Sequence, residues 1–358
     1  YIMVVKKAIP APFTKGVNFT NWMEFRRADQ INPELFTKKD FMNAKKLGCD
    51  VIRIPMHFET ICEGIADYRI PDSVFAILDN IEAWAEELKL YVIFDFHNNC
   101  HADSKTSENV ESVLTPIWMQ LAERYKNASE YLVYELMNEP HGISVALWNE
   151  VIARLLKKVR EIDTKHYIIA GGADWNSFKA MKTLPDFNDD KVIYTFHFYD
   201  PHTFTHQGAS WCHMQRVIHI PFPYDADRMP ALPEDATEEE KEKFAAYPEQ
   251  GTVEKVAEFF DQYVAFSQER QAPVFCGEFG CFAPFADHTD RVNWYTIVTN
   301  LLEERGIART SWDYYGGFGP FRMDRFKLRA VGKELKLLFP DDLDMDIVKA
   351  LGLNCDLK

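Results

Sequence analysis

Cysteine is sparse in this sequence, at seven positions in 358: Cys49, Cys62, Cys100, Cys212, Cys276, Cys281 and Cys355. So few in so long a chain, and an odd number of them, argue against a disulfide framework, and the lack of any CxxC pair argues against a structural zinc knot. Long hydrophobic runs are missing too; none approaches the roughly 18 residues that span a bilayer, so no membrane partner is expected. Positive charge is the minority sign, 40 Lys and Arg against 55 Asp and Glu, for a net charge of −15. That balance argues against nucleic acid as a partner and fits a neutral or cationic one. No apolar run leads into GxGxxG or GxxxxGK[ST], which removes the usual mark of a nucleotide site. The first residue is Tyr1 rather than Met, and the expectation is a secreted or periplasmic protein whose leader has been removed.

What is present is alternation. Short β-type runs recur at 15–20, 49–55, 90–97, 131–138, 166–172, 191–199, 272–279 and 308–314. Amphipathic helical stretches of about ten to twenty residues lie between them, such as PDSVFAILDNIEAWAEEL and SVALWNEVIARLLKKVREI, with a last one near 326–338. Near-continuous apolar strands alternating with helices imply a parallel sheet covered by helices. Eight such units predict an α/β fold, a single (β/α)8 TIM barrel over residues 1–358, with an open doubly wound sheet as the alternative. One connection is irregular: residues 200–250 form a long loop after the sixth strand, rich in Pro, His and Trp, whose run ATEEEKEK reads as a solvated helical face.

In such a barrel, chemistry is built at the C-terminal ends of the strands. Unusual polar and planar residues gather there: Arg53 near the end of strand 2, His97 ending strand 3, and Asn138 and Glu139 after strand 4. His197 and Tyr199 on strand 6, Glu278 on strand 7 and Trp312 on strand 8 complete the set. Any one of them has a plain structural reading, as a hydrogen-bonding side chain, a helix cap or half of a buried ion pair. Together they place two glutamates, on strands 4 and 7, on opposite sides of one barrel mouth. Two carboxyl groups about 5 to 5.5 Å apart suit a retaining glycosidase, one as acid/base and the other as nucleophile.

The blocks that carry these residues, ELMNEPHG, VFCGEFG, VIRIPMHF, TFHFYD and SWDYYGGFG, together resemble glycoside hydrolase family 5, in order and over essentially the whole chain. The stretch HFYDPHTFTHQGASW is similar to a branch containing endo-β-1,4-glucanases, some of which also cleave mannans. The resemblance implies Glu139 as general acid/base and Glu278 as nucleophile. Arg53 would then hold Glu278 ionised, with Tyr199 hydrogen-bonded to it, while Asn138 meets the sugar 2-hydroxyl. His97 and His197 would orient the sugar and the acid/base, with Trp312 as floor under the ring. Relatives often have a second His directly after the strand 3 His; this chain reads HNNCHAD, leaving Asn98 or His101 for that role. Trp22, Trp175 and Trp211 are candidates to extend the cleft as sugar platforms, whereas Trp84, Trp118, Trp148 and Trp294 fall in helices and read as core.

The expected partner is a polysaccharide acted on by a monomer: β-1,4-glucan or mixed-linkage β-glucan first, then glucomannan or mannan, then xyloglucan. No metal or organic cofactor is needed for that chemistry. Two rivals remain. A metal-dependent hydrolase would draw on His97, Cys100, His101, His197, His202 and His206, although strand 1 ends in NFTNW and lacks a His-x-His pair. A carbohydrate-binding barrel without activity would leave two intact carboxylates unexplained.

Overall fold

A computed structural model describes residues 6–64, 66–98, 104–324 and 337–357. Eight parallel strands pair in sequence order: β1 (Lys15–Asn18), β2 (Val51–Met56), β3 (Tyr91–Phe96), β4 (Leu132–Glu135), β5 (Tyr167–Gly171), β6 (Val192–Phe198), β7 (Val274–Phe279) and β8 (Ala308–Ser311). β8 pairs back onto β1, so the sheet closes as a barrel and the open doubly wound alternative is excluded. Each strand falls on its apolar run, although β4 and β8 stop three residues short of the expected ends at 138 and 314.

Helices α1 (Lys38–Lys46), α2 (Asp72–Leu88), α3 (Glu111–Tyr125) and α4 (Val145–Arg160) follow β1 to β4. α5 (Glu238–Gln250) and α6 (Val253–Arg270) precede β7, α7 (His288–Glu304) precedes β8, and α8 (Met345–Ala350) comes near the end. α4 shows why such a segment is helical. Trp148, Val151, Ile152, Leu155, Leu156 and Val159 fall on one face at helical spacing and are buried. The Ser144 hydroxyl accepts the Leu147 N–H at its start, and Lys157, Lys158 and Arg160 sit near the free carbonyls at its end. The run in ATEEEKEK is α5, capped by Thr237 and Glu240; Glu240 is buried against Arg216 rather than solvated. The helix expected near 326–338 falls largely on residues outside the described ones. Among the described residues, no helix is long and apolar enough to cross a membrane.

Inside the barrel, side chains from successive strands stack in layers. Val51, Ile93, Val133, Ile169, Ile193 and Phe275 join Phe13 and Ala308 in a buried cluster separate from the larger core between sheet and helices. Phe13, from the segment before β1, meets Phe275 edge-on at 5.3 Å and plugs this layer. Strand side chains alternate faces, so two residues beyond Val51, Ile93 and Val133 the same inner face carries Arg53, Asp95 and Glu135. An apolar floor therefore lies under a charged layer. Of the helical tryptophans, Trp118, Trp148 and Trp294 are fully buried, while Trp84 is half-buried. Trp22 is also fully buried, packed on Phe36 and Phe41, which removes it as a cleft platform.

Because the floor supports the charged layer, Phe13→Ala is expected to lower stability by about 3 to 5 kcal/mol through the cavity it leaves. Urea unfolding of the two proteins measures this.

Candidate active site

Arg53 is the third residue of β2, mid-strand rather than near the end, and it is completely buried. All five of its N–H donors are taken. Nε and one terminal N–H grip both oxygens of Glu135, at 2.7 and 2.9 Å. The remaining three reach Asn18 Oδ1 at 2.9 Å, Glu278 Oε1 at 2.8 Å and Asn138 Oδ1 at 2.7 Å. Asp95 stands 3.0 Å from the same guanidinium. One cation thus faces three carboxylates. Burial, only partly offset by Arg53, lifts Asp95 to about 7 and raises Glu135 as well.

Glu278 reaches the mouth by a local irregularity. Phe275 faces the barrel interior, so strict alternation would turn Glu278 outward. The β6–β7 ladder slips there: Phe196 pairs with Cys276, but His197 pairs with Glu278, leaving Gly277 as the extra residue. A bulge of this kind re-aims the next side chain. A Cβ at Gly277 would sit 3.1 Å from Thr195 Oγ1 and 3.2 Å from His197 Nε2, and the Gly277 carbonyl accepts from Asn18 and Thr310. Glu278 then takes Arg53 on one oxygen and the Tyr199 hydroxyl, at 2.7 Å, on the other.

Across the mouth, His197 Nδ1 lies 2.5 Å from Glu139 Oε1 and 3.6 Å from Glu278 Oε2. Burial works against charge on this ring, yet Glu278 and Glu139 outweigh it and the His197 pKa rises. An oxygen of Glu139 and an oxygen of Glu278 come within 4.8 Å of each other. His97 Nδ1 lies 2.6 Å from Asp95 Oδ2; burial holds the His97 pKa down near 4, so its ring is uncharged at neutral pH. That ring stacks on Trp312 at 5.6 Å and 12°.

A cleft of about 930 Å³ opens above these groups. Glu139, Glu278, Asn138, His97, His197, Tyr199, Trp312, Trp175 and Trp211 all line it, whereas Arg53 lies beneath. Trp175 and Trp211 are 42% and 39% exposed, as platforms require; Trp175 stacks on His141 at 4.6 Å, and Trp211 meets Phe282 edge-on at 4.9 Å. His101 and Cys100 lie outside the described residues, and Asn98 lines the cleft beside the Glu139 backbone. Of the described imidazoles weighed as metal ligands, only His197 falls in a cluster with ligand-like spacing, with Glu139 and Glu278. His202 and His206 instead stack on each other at 4.1 Å. The described cysteines are all free thiols.

Reading strand ends alone missed Asp95, Glu135 and Asn18, which hold Arg53 from below. The signal was in the sequence: VIRIP, VIFDF and LVYEL each put one charge inside an apolar strand, two residues beyond a β-branched one. Glu24, on the loop after β1, was missed as well. Burial, eased by the Asn21 N–H but reinforced by Asp313, Asp95 and Glu278, lifts its carboxyl from 4.5 to about 8.

Two outcomes follow from these charges. Arg53→Met leaves buried carboxylates without their cation and is expected to cost about 3 to 5 kcal/mol of stability near neutral pH. In urea titrations at several pH values, that cost shrinks as the pH falls and the carboxylates take up protons. For Glu24 the folded pKa is above the unfolded one, so the folded state holds the extra proton and stability is lost as pH rises from 4.5 to about 8. Glu24→Gln removes that loss, and its stability advantage over the parent is expected to widen across the same window.

The geometry has relatives. "Endoglucanase C" of Acetivibrio thermocellus is 28% identical over 323 residues, covering 84% of this chain and 91% of that one. The crystal structure of endoglucanase Cel5A from Thermotoga maritima superposes with a TM-score of 0.75 at 26% identity, covering 94% of this chain and 96% of the other. A second structure of Thermotoga maritima Cel5A, in complex with mannotriose, gives 0.73 at 25% identity, over 95% of this chain and 97% of that one. The family model described as cellulase, glycosyl hydrolase family 5, matches residues 13–317. A match across most of the barrel, from the plug at Phe13 to the loop after β8, makes this chain a member of glycosyl hydrolase family 5, the cellulase family.

Proposed function

We propose that the protein is a retaining endo-β-1,4-glucanase, hydrolysing β-1,4-glucan or mixed-linkage β-glucan with Glu139 as acid/base and Glu278 as nucleophile. The observation that carries this reading is the separation of their oxygens, within 4.8 Å. Inverting enzymes need about 6.5 to 9.5 Å between the carboxyl groups to admit a water, so this spacing favours direct attack by a carboxylate.

Glu278 is suited to attack: Arg53 holds one of its oxygens and Tyr199 fixes the second. In the first step Glu278 forms a bond to the anomeric carbon while the bond to the leaving oxygen breaks, and Glu139 delivers its proton to that oxygen. His197, hydrogen-bonded to Glu139, holds the carboxyl in place and shares the proton. In the second step water, deprotonated by Glu139, opens the glycosyl-enzyme and restores Glu278. Asn138 faces the 2-hydroxyl, while His97 and Trp312 floor the ring. Trp175 and Trp211 are platforms for further sugars, and a cleft lined over several loops suits internal cleavage. Such a polymer cannot cross a bilayer, so a single-domain monomer would meet it outside the cytoplasm, secreted or periplasmic.

Mannan or glucomannan is the second reading, favoured by the relative solved with mannotriose. Reducing-sugar release from carboxymethylcellulose, barley β-glucan, glucomannan and mannan separates the two. The expected result is fastest release from the glucans, falling to background in Glu278→Ala. Release in that variant at the parent rate would sink the nucleophile assignment, and mannan as the fastest substrate would replace the glucan reading.

A further inference from the structure

Glu139 does not sit on a strand: β4 ends at Glu135, and the NEPHG segment that follows is loop. Its peptide groups are nonetheless held as firmly as those of a strand. Asn98 Oδ1 accepts the Glu139 N–H at 3.0 Å, and Asn98 Nδ2 donates to the Glu139 carbonyl at 2.9 Å. One planar amide thereby engages both main-chain groups of one residue, which is how a neighbouring strand would engage it. The second lone pair of the same carbonyl faces His141 Nδ1 at 2.7 Å. A carbonyl only accepts, so Nδ1–H is the donor, leaving Nε2 toward the Ser104 hydroxyl at 3.0 Å. The Thr106 N–H donates to the His141 carbonyl, and the Thr106 hydroxyl accepts the His141 N–H. Residues after β3 are thus stitched to the loop after β4.

We propose that Asn98 is a positioning residue for the acid/base. It sets the Glu139 backbone so that the carboxyl meets His197 and the glycosidic oxygen together. The inference rests on the reading of Glu139 as acid/base. The residue type matters. Asp at this position keeps the acceptor for the N–H but loses the donor to the carbonyl, while Ala loses both. Positioning is a large lever on proton transfer, since a misplacement of about 1 Å can cost on the order of a hundredfold in rate.

The test varies how much the leaving group needs a proton. Parent, Asn98→Ala, Asn98→Ser and Glu139→Ala are compared by kcat/KM on 2,4-dinitrophenyl β-cellobioside, whose phenolate leaves unaided, and on phenyl β-cellobioside, whose does not. Thermal unfolding verifies that each variant is folded. For both Asn98 variants the expected loss is roughly ten- to a hundredfold on the phenyl substrate. On the dinitrophenyl substrate it stays within about threefold, because general acid help is not needed there. Glu139→Ala shows the same contrast, enlarged. Equal losses on both substrates for the Asn98 variants would make Asn98 a sugar contact or a fold support, and no loss on either would make the clamp irrelevant; each overturns the proposal while Glu139→Ala keeps its contrast. If Glu139→Ala itself shows no contrast, the acid/base assignment fails and the positioning role falls with it.

Discussion

Everything at the mouth of this barrel is organised around one buried guanidinium. Arg53 has five N–H donors in a rigid plane, and each is used: two on Glu135, one each on Asn18, Asn138 and Glu278. These partners come from β1, β4, the loop after β4, and β7, so the cation fixes distances across the barrel that strand pairing alone leaves free. Lysine could not replace it, because an ammonium is a point charge without the fork that grips Glu135 on two oxygens. The group is poor as a source of stability, since burying four charges is expensive. Its worth lies in placing Glu278 and Asn138 relative to each other.

The layer beneath explains how such a cluster survives. Val51, Ile93, Val133, Ile169, Ile193 and Phe275, closed by Phe13, keep water from entering below. Above this layer, Arg53, Asp95 and Glu135 are fully buried as well. Asp95 and Glu135 sit deep and are pushed toward their neutral forms by burial, whereas Glu278 has Arg53 and Tyr199 on its two oxygens. Retaining glycosidase chemistry needs two carboxyls in different protonation states at one pH, and the two at this mouth have different partners: Arg53 and Tyr199 for Glu278, His197 for Glu139.

Most of the fold was legible because a buried parallel strand leaves a strong mark: VIRIP, YVIFDF and VIYTFHF are short, near-continuous apolar runs, and the longer segments between them carry the spacing of amphipathic helices. Glu139 and Glu278 were expected at the mouth from their places after strand 4 and on strand 7, and both line the cleft; the roles given to them came from the resemblance carried by ELMNEPHG and VFCGEFG. What escaped were residues whose role depends on register. Asp95 and Glu135 became partners of Arg53 only once the ladder set Asp95 beside Glu135. Glu278 points inward only because of the extra residue at Gly277, and no periodicity announces a bulge. Trp22 was misjudged as a possible platform because its place beside strand 1 does not say which way the ring turns; Phe36 and Phe41 decide that.

The two glutamates are held by different means, and the difference fits the roles proposed for them. Glu278 lies within β7, its neighbours locked into the sheet and its oxygens into Arg53 and Tyr199. A nucleophile acts through one atom at one place, so rigidity serves it. Glu139 stands outside β4 and has His197 as a proton-sharing partner at 2.5 Å. An acid that later serves as base alternates between protonated and ionised forms within one cycle, and its carboxyl has to hold one position through both. On a loop, that requires a backbone that does not drift. Asn98, His141 and Asn176 supply that restraint from three sides: the first two bond the Glu139 peptide groups, and Asn176 donates to the Asn138 carbonyl at 2.6 Å. The main chain beneath the carboxyl thus has its N–H and its carbonyl hydrogen-bonded although it lies outside the sheet.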